Sequence, residues 1–235
     1  MSRTADVATS FLASTARLGA GMFARTGGKR PDKPLEIYEF EACPFCRKAR
    51  EALTVLDLDA IVYPCPRGSR YRAVVREKGG KELFPFLVDP SNGKSMYESD
   101  DIVRYLAETY GDGRVPFSLA LGPITTLSSS LASLARPMRG RTARPAKTPE
   151  KPLELWSFEG SPFCRLVREV LCELTLPYQL HNVAHGSAQR PAFVARSGQM
   201  MVPYLVDPNT GAAMFESADI VAYLEKTYGA GTSTS

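Results

Sequence analysis

Two thiols with two residues between them are the first chemistry in this chain: Cys43 and Cys46, in the stretch EFEACPFCRKAREAL from Glu39 to Leu53. A pair at this spacing can exchange disulfides or supply half of a metal site. Cys43 falls at the expected junction of a strand and a helix, with Pro44 at the first helical position, where its missing N–H does no harm. A sulfur there faces free backbone N–H groups and the positive end of the helix dipole, and both favour thiolate. Arg47 adds positive charge, and Cys46, one turn on, is placed to attack a mixed disulfide formed on Cys43. Glu41 would oppose this, raising the thiol pKa, if its side chain pointed at Cys43.

The same phrase returns as SFEGSPFCRLVREVL, Ser157 to Leu171, with Ser161 in place of the first cysteine. Ser161 is a good helix N-cap but cannot form a disulfide. Cys164 then lacks a partner in its own turn; Cys172 shares its helical face, and both read as buried small apolar groups. Cys65 follows a strand and reads as structural, with a third redox thiol as the alternative. A zinc site would need further ligands from Cys65, Cys164, Cys172, His181 and His185; the two histidines have metal-like spacing, but their place at a strand end in the second copy favours ordinary surface or loop residues over ligands.

The elements that must hold these residues are duplicated. Pro34 to Gly111 aligns with Pro152 to Gly229 without a gap, and the motif LAS-x-AR precedes each copy, at Leu12 and at Leu131. That recurrence makes residues 1–33 the first element of a repeating unit, although their Ser-, Ala- and Arg-rich composition resembles a targeting segment. The expected division is a leading helical segment over 1–33, a first domain over 34–111, a helical and basic linker over 112–151, a second domain over 152–229 and a tail over 230–235. In each domain PLEIYEF and its counterpart alternate as a strand. PFCRKAREALTVLDL sets Ala49, Leu53 and Leu56 on one helical face. A short strand follows, then a helix ended by Gly79 and Gly80, a hairpin across DPSNG, and a last helix that Ser99 would cap. The order βαβαββα predicts an α/β fold with two tandem thioredoxin-like domains.

In the linker, Ile124, Leu127, Leu131 and Leu134 are at helical spacing, and the arginines and lysines after them read as a solvated basic stretch. A net charge of +4 argues for no polyanionic partner, and no nucleic acid is expected. No run of eighteen apolar residues is present to span a bilayer. Five cysteines, two of them as Cys-x-x-Cys, do not make a secreted disulfide framework and point to a reducing, cytoplasmic setting.

The motifs together carry a family resemblance. CPFC on a strand-to-helix turn, followed by a basic residue, resembles the active site of glutaredoxins. FPFLVD and YESDDIVRYL resemble the glutathione-binding N-terminal domain of glutathione S-transferases. The chain is similar to tandem thioredoxin-fold proteins built from two such domains; the all-helical C-terminal domain of the transferases is absent from the resemblance. The resemblance implies glutathione as cosubstrate and no metal. Cys43 would be the nucleophile and Cys46 the resolving thiol. Pro85 would be cis, freeing the backbone of Phe84 to pair with the cysteinyl part of glutathione. Glu98 and Ser99 would hold its γ-glutamyl end. In the second domain Val202, Pro203, Glu216 and Ser217 repeat this outline, and Ser161 would either cap its helix or donate a hydrogen bond to a bound thiolate.

The function these residues favour is a glutathione-dependent thiol–disulfide oxidoreductase acting on a disulfide-containing protein or small molecule. A glutathione-conjugating transferase and a non-catalytic scaffold of two thioredoxin folds are the alternatives. The leading segments are expected to pack across the two domains or to mediate a homodimer.

Overall fold

Alternation in Leu35–Glu39 turns Leu35 and Ile37 into the core and makes this segment the strand β1. In a computed structural model of the chain, which describes residues 7, 9, 10, 21–25, 27–120 and 139–230, β1 leads through a tight turn into α1 (Pro44–Val55). Then follow β2 (Ala60–Pro64), α2 (Tyr71–Gly79), the hairpin β3 (Phe86–Asp89) and β4 (Lys94–Met96), and α3 (Ser99–Tyr110). After the short α4 (Phe117–Ala120) the second unit repeats the order: β5 (Leu153–Ser157), α5 (Pro162–Glu173), β6 (Tyr178–Asn182), α6 (Arg190–Ser197), β7 (Tyr204–Asp207), β8 (Ala212–Phe215) and α7 (Ser217–Tyr228). Each unit is a thioredoxin-type βαβαββα fold, as the sequence predicts.

Within a unit β1 is central, parallel to β2 and antiparallel to β3, so β2 is left as an edge. The second unit has the same topology, with β6 at its edge. The two edges pair with each other, antiparallel, Val62 opposite Tyr178 and Ala60 opposite Leu180. The result is one eight-stranded sheet in the order β4-β3-β1-β2-β6-β5-β7-β8. Pairing satisfies two rows of backbone groups that would otherwise be exposed, and it joins the apolar faces. Leu58, Ala60 and Val62 share a continuous core with Leu176, Tyr178 and Leu180.

Charged side chains cross the same seam. Arg50 on α1 donates through Nε to Glu159 of the second unit at 2.9 Å, while Arg168 on α5 donates through Nε to Glu41 of the first at 3.1 Å. Arg168 also reaches Glu159 at 2.9 Å. Glu41 and Glu159, like Arg50 and Arg168, hold equivalent positions in the two repeats, so the seam has approximate two-fold character. All four are buried. Burial alone would lower the arginines and raise Glu159; the mutual attraction overturns both, holding Arg50 and Arg168 above the ordinary arginine value and Glu159 well below the carboxylate range.

The described parts of the leading segments are also exchanged between units. Ser10, in helical conformation and fully buried, donates to the carbonyl of Pro162 at 2.7 Å. Gly160 donates to the Gly21 carbonyl, and Phe23 bridges His185 in parallel. In the reciprocal direction Thr142 bridges Arg67, and Gly140 packs on Glu41. Residues 21–25 and 27–33 are not helical, which corrects the expectation for that stretch: the backbone of Gly21, Met22 and Ala24 pairs with the second unit, while that of Arg25 and Lys33 bonds to the first. The expected linker helix around Ile124, Leu127, Leu131 and Leu134 lies outside the described residues. The basic stretch after it is tethered rather than simply solvated, since Arg139 approaches Glu169 and Glu173, and Arg144 pairs with Glu173 and Glu225.

Candidate functional site

Cys43 is the N-cap of α1. Its backbone is extended (φ −82°, ψ 120°), and its sulfur accepts the N–H of Cys46 at 3.2 Å. Pro44 takes the first helical position, and no acid occupies the first turn. A hydrogen bond from the Cys46 thiol lowers the Cys43 pKa and, together with the backbone N–H groups of Cys46 and Phe45, outweighs the opposing effect of burial. The same bond works in reverse on Cys46, whose proton is held by burial first, then by that bond and by the Cys43 charge. The turn is therefore polarised: Cys43 tends to thiolate while Cys46 keeps its proton. Cys43 is 5% exposed and Cys46 fully buried, with the ring of Phe45 standing out between them at 49%.

Glu41 does not act on Cys43 as a neighbour in sequence suggests. Its carboxylate is taken by Arg168, at 3.1 and 3.2 Å, and the acid that opposes the Cys43 thiolate is Glu39, at the end of β1. Cys65 is buried and its thiol raised, chiefly by burial; its sulfur donates to the Tyr63 carbonyl, as a structural residue would. Cys172 sits in the seam, donating to Gly140 O and accepting from Glu41 N–H.

The other predicted residues converge on the same end of the first unit. The Phe84–Pro85 peptide is cis. The Phe84 ring meets Phe40, which follows β1, edge-on at 6.0 Å, and the Arg72 guanidinium lies over both rings. That contact places the Pro85 loop beside the turn leading to Cys43. Lys48, buried on α1, holds Asp100 in the first turn of α3, bringing the start of α3 to α1. Ser99 is the first residue of that helix rather than its cap. The capping position belongs to Glu98, whose backbone lies at φ +62°, a left-handed conformation unusual for a non-glycine residue and a signature of local constraint.

The second unit reproduces the frame. Val202–Pro203 is cis, Glu216 has φ +65°, and Ser217 opens α7. Ser161 caps α5, its Oγ accepting the Cys164 N–H at 3.3 Å, in the position the Cys43 sulfur holds in the first unit. Cys164 is buried without a second thiol in its turn. His181 is not an ordinary surface residue: it stacks on Trp156 at 4.4 Å and meets Asp59 across the seam at 3.1 Å. Among the described residues no group of three metal-binding side chains is found, and no helix is long and apolar enough to cross a membrane.

The charge network was not foreseen from the sequence. Its signal was present all the same: Arg47 and Arg50 share a helix with Cys46, Ala49 and Leu53, and the same charges recur in the second repeat.

Comparison with known proteins agrees with this frame. The profile of the glutathione S-transferase N-terminal domain matches residues 37–114 and again 155–232. A glutathione S-transferase-like protein of Aspergillus terreus, gedE, is 32% identical over 77 residues, covering 33% of this chain and 34% of that protein. Another, tpcF of Aspergillus fumigatus, is 34% identical over 70 residues, covering 30% and 31%. The chain thus spans about a third of the length of these curated relatives. No solved structure matches it. With both repeats matched by one profile, the chain belongs to the family of the glutathione S-transferase N-terminal domain and carries that domain twice.

Proposed function

We propose that the protein is a glutathione-dependent thiol–disulfide oxidoreductase working through Cys43 and Cys46. The observation that carries this reading is the polarised turn, in which one sulfur is favoured as thiolate and the other retains its proton. In the reaction the Cys43 thiolate attacks the glutathione sulfur of a mixed disulfide, and the substrate thiol leaves. The resulting Cys43–glutathione disulfide is opened by a second glutathione or by Cys46, and the glutathione pool of a reducing compartment such as the cytoplasm restores the dithiol. Because Cys43 exposes so little surface, a slender tripeptide thiol is better able to reach it than a broad protein face.

Phe84, Pro85, Glu98 and Ser99 are the residues we assign to glutathione, the last two beside the free N–H groups at the start of α3. Val202, Pro203, Glu216 and Ser217 repeat that outline in the second unit, where Ser161 is already engaged as a cap and Ser10 packs on the Pro162 carbonyl. We assign the second unit a supporting role: its Arg168 and Glu159 complete the charge network beneath the first unit's active turn.

The test is the Cys46→Ser variant incubated with oxidised glutathione and read by intact mass and peptide mapping. One glutathione on Cys43, stable because Cys46 is absent, is expected. No adduct, with Cys43 equally slow toward an alkylating reagent, would overturn the reading and favour a scaffold of two thioredoxin folds.

A further inference from the structure

Several buried charges match between the two units. Arg47, Arg50, Glu41 and Glu51 of the first correspond to Arg165, Arg168, Glu159 and Glu169 of the second, and all are buried. At the end of the first strand the correspondence fails. Glu39, the last residue of β1, is 2% exposed, and the last residue of β5 is Ser157. The unit with the dithiol has the extra carboxyl; the unit with Ser161 lacks it.

Geometry ties Glu39 to Cys46. Cys46 and Arg50 are four residues apart on α1 and so share a face. Arg50 holds the Glu39 carboxylate through Nη1. The Cys43 N–H donates at 3.1 Å to the carbonyl of Phe40, the residue directly after Glu39, which ties the reactive turn to the end of β1, and the Glu39 charge acts on the Cys46 thiol. Sulfur and carboxyl thus lie on the same side of α1, against the same end of β1, in a region closed to solvent.

We propose that Glu39 is the proton acceptor for Cys46 when Cys46 resolves the Cys43–glutathione disulfide, an inference that rests on the oxidoreductase reading above. A buried thiol whose proton is held this firmly is a poor nucleophile until a base removes it. The Cys46 S–H gives its proton to the Glu39 carboxylate. The Cys46 sulfur attacks Cys43 Sγ, the bond between Cys43 and the glutathione sulfur breaks, and glutathione leaves as thiolate with the electron pair. The dithiol is oxidised to the Cys43–Cys46 disulfide and the mixed disulfide is reduced. On the return, glutathione thiolate opens that disulfide at Cys43, and Cys46 leaves as thiolate and recovers the proton from Glu39.

The surroundings suit the role. Burial first, then the negative charges of Glu41 and Glu159, lift the Glu39 carboxyl to about 7 against the pull of Arg50 and Arg168. The thiols that feel its charge are Cys43, Cys46, Cys65 and Cys172. Of these only Cys43 and Cys46 belong to the turn that reacts.

The experiment follows the full-length chain after rapid mixing with oxidised glutathione. Acid quench and intact mass count the singly glutathionylated form and its conversion to the intramolecular disulfide, from about pH 6 to 9. The parent's conversion rate is expected to rise with an inflection near neutrality. Glu39→Gln should form the mixed disulfide at a comparable rate but resolve it on the order of a hundredfold more slowly near neutral pH, without that inflection. Loss of packing alone would slow resolution at every pH and leave the inflection in place. Resolution in Glu39→Gln with the parent's rate and profile would overturn the proposal while leaving the oxidoreductase reading standing. Failure of either protein to form a mixed disulfide would overturn both. Should the variant not fold, the parent's profile decides: a rate climbing steadily to pH 9 with no inflection near 7 refutes the role of Glu39.

Discussion

Removing one charge at the seam should weaken the whole chain, and Glu159→Gln is the sharpest way to do it. The Glu159 carboxylate, almost fully buried, accepts from Arg50 at 2.9 Å, lies 2.9 Å from Arg168, and has Arg47 and Arg165 at 3.7 and 3.9 Å. Glutamine keeps the volume and one acceptor oxygen but leaves four guanidinium groups facing a neutral amide. Breaking a buried pair from one side costs about 3–5 kcal/mol, a large part of a typical stability of about 5–15 kcal/mol. Urea unfolding read by far-ultraviolet circular dichroism, which sees both units, and by the fluorescence of Trp156, the chain's single tryptophan, measures the loss and its location. The parent's two transitions should coincide; in the variant both midpoints should fall, and the units should begin to separate. The pH dependence has a definite sign. Glu159 is held far below its unfolded value, so its contribution is complete above about pH 4.3 and fades as pH falls below that. Parent and variant should therefore converge in acid. A loss under about 1 kcal/mol at neutral pH would refute the claim that this network holds the units together.

Two further outcomes follow from the same seam. Glu39 is the opposite case, a carboxyl raised by burial, whose stabilising contribution is present below about pH 4.3 and lost as pH rises through its folded value near 7. Glu39→Gln should consequently be more stable than the parent at about pH 8, by up to about 3 kcal/mol, with the advantage vanishing near pH 4; thermal melts at the two pH values check it. Gly160→Val tests the exchanged segment: a Cβ there would sit 2.6 Å from the Met22 sulfur and 3.0 Å from the Gly21 carbonyl. A loss of about 1–3 kcal/mol, with faster hydrogen exchange at the Gly160 and His185 amides, is expected; unchanged exchange would mean that residues 21–25 contribute nothing to the second unit.

Local sequence sets the elements and the shape of the reactive turn. Apolar alternation over Leu35–Glu39, the proline after Cys43, the glycine after α2 and the DPSNG hairpin act over a few residues, so they read correctly without neighbours. The duplication delivered the second unit, and the family resemblance delivered the cis bonds at Pro85 and Pro203. Ser99 was misplaced by one residue because serine's preference for a cap is weaker than the constraint that sets Glu98 at positive φ. Partnership comes from packing alone: that β2 pairs with β6, that the leading segments cross to the opposite unit, that Glu41 answers Arg168 rather than Cys43, and that Glu39 is left beside the thiols. These are contacts between residues more than a hundred positions apart or between a strand end and a helix face. A buried charge is tolerable only where a partner meets it, and two repeats that share Glu41/Glu159 and Arg50/Arg168 offer the same partners twice. Which copy supplies the partner depends on which surfaces close against each other and exclude water, and that is settled by packing, not by local sequence.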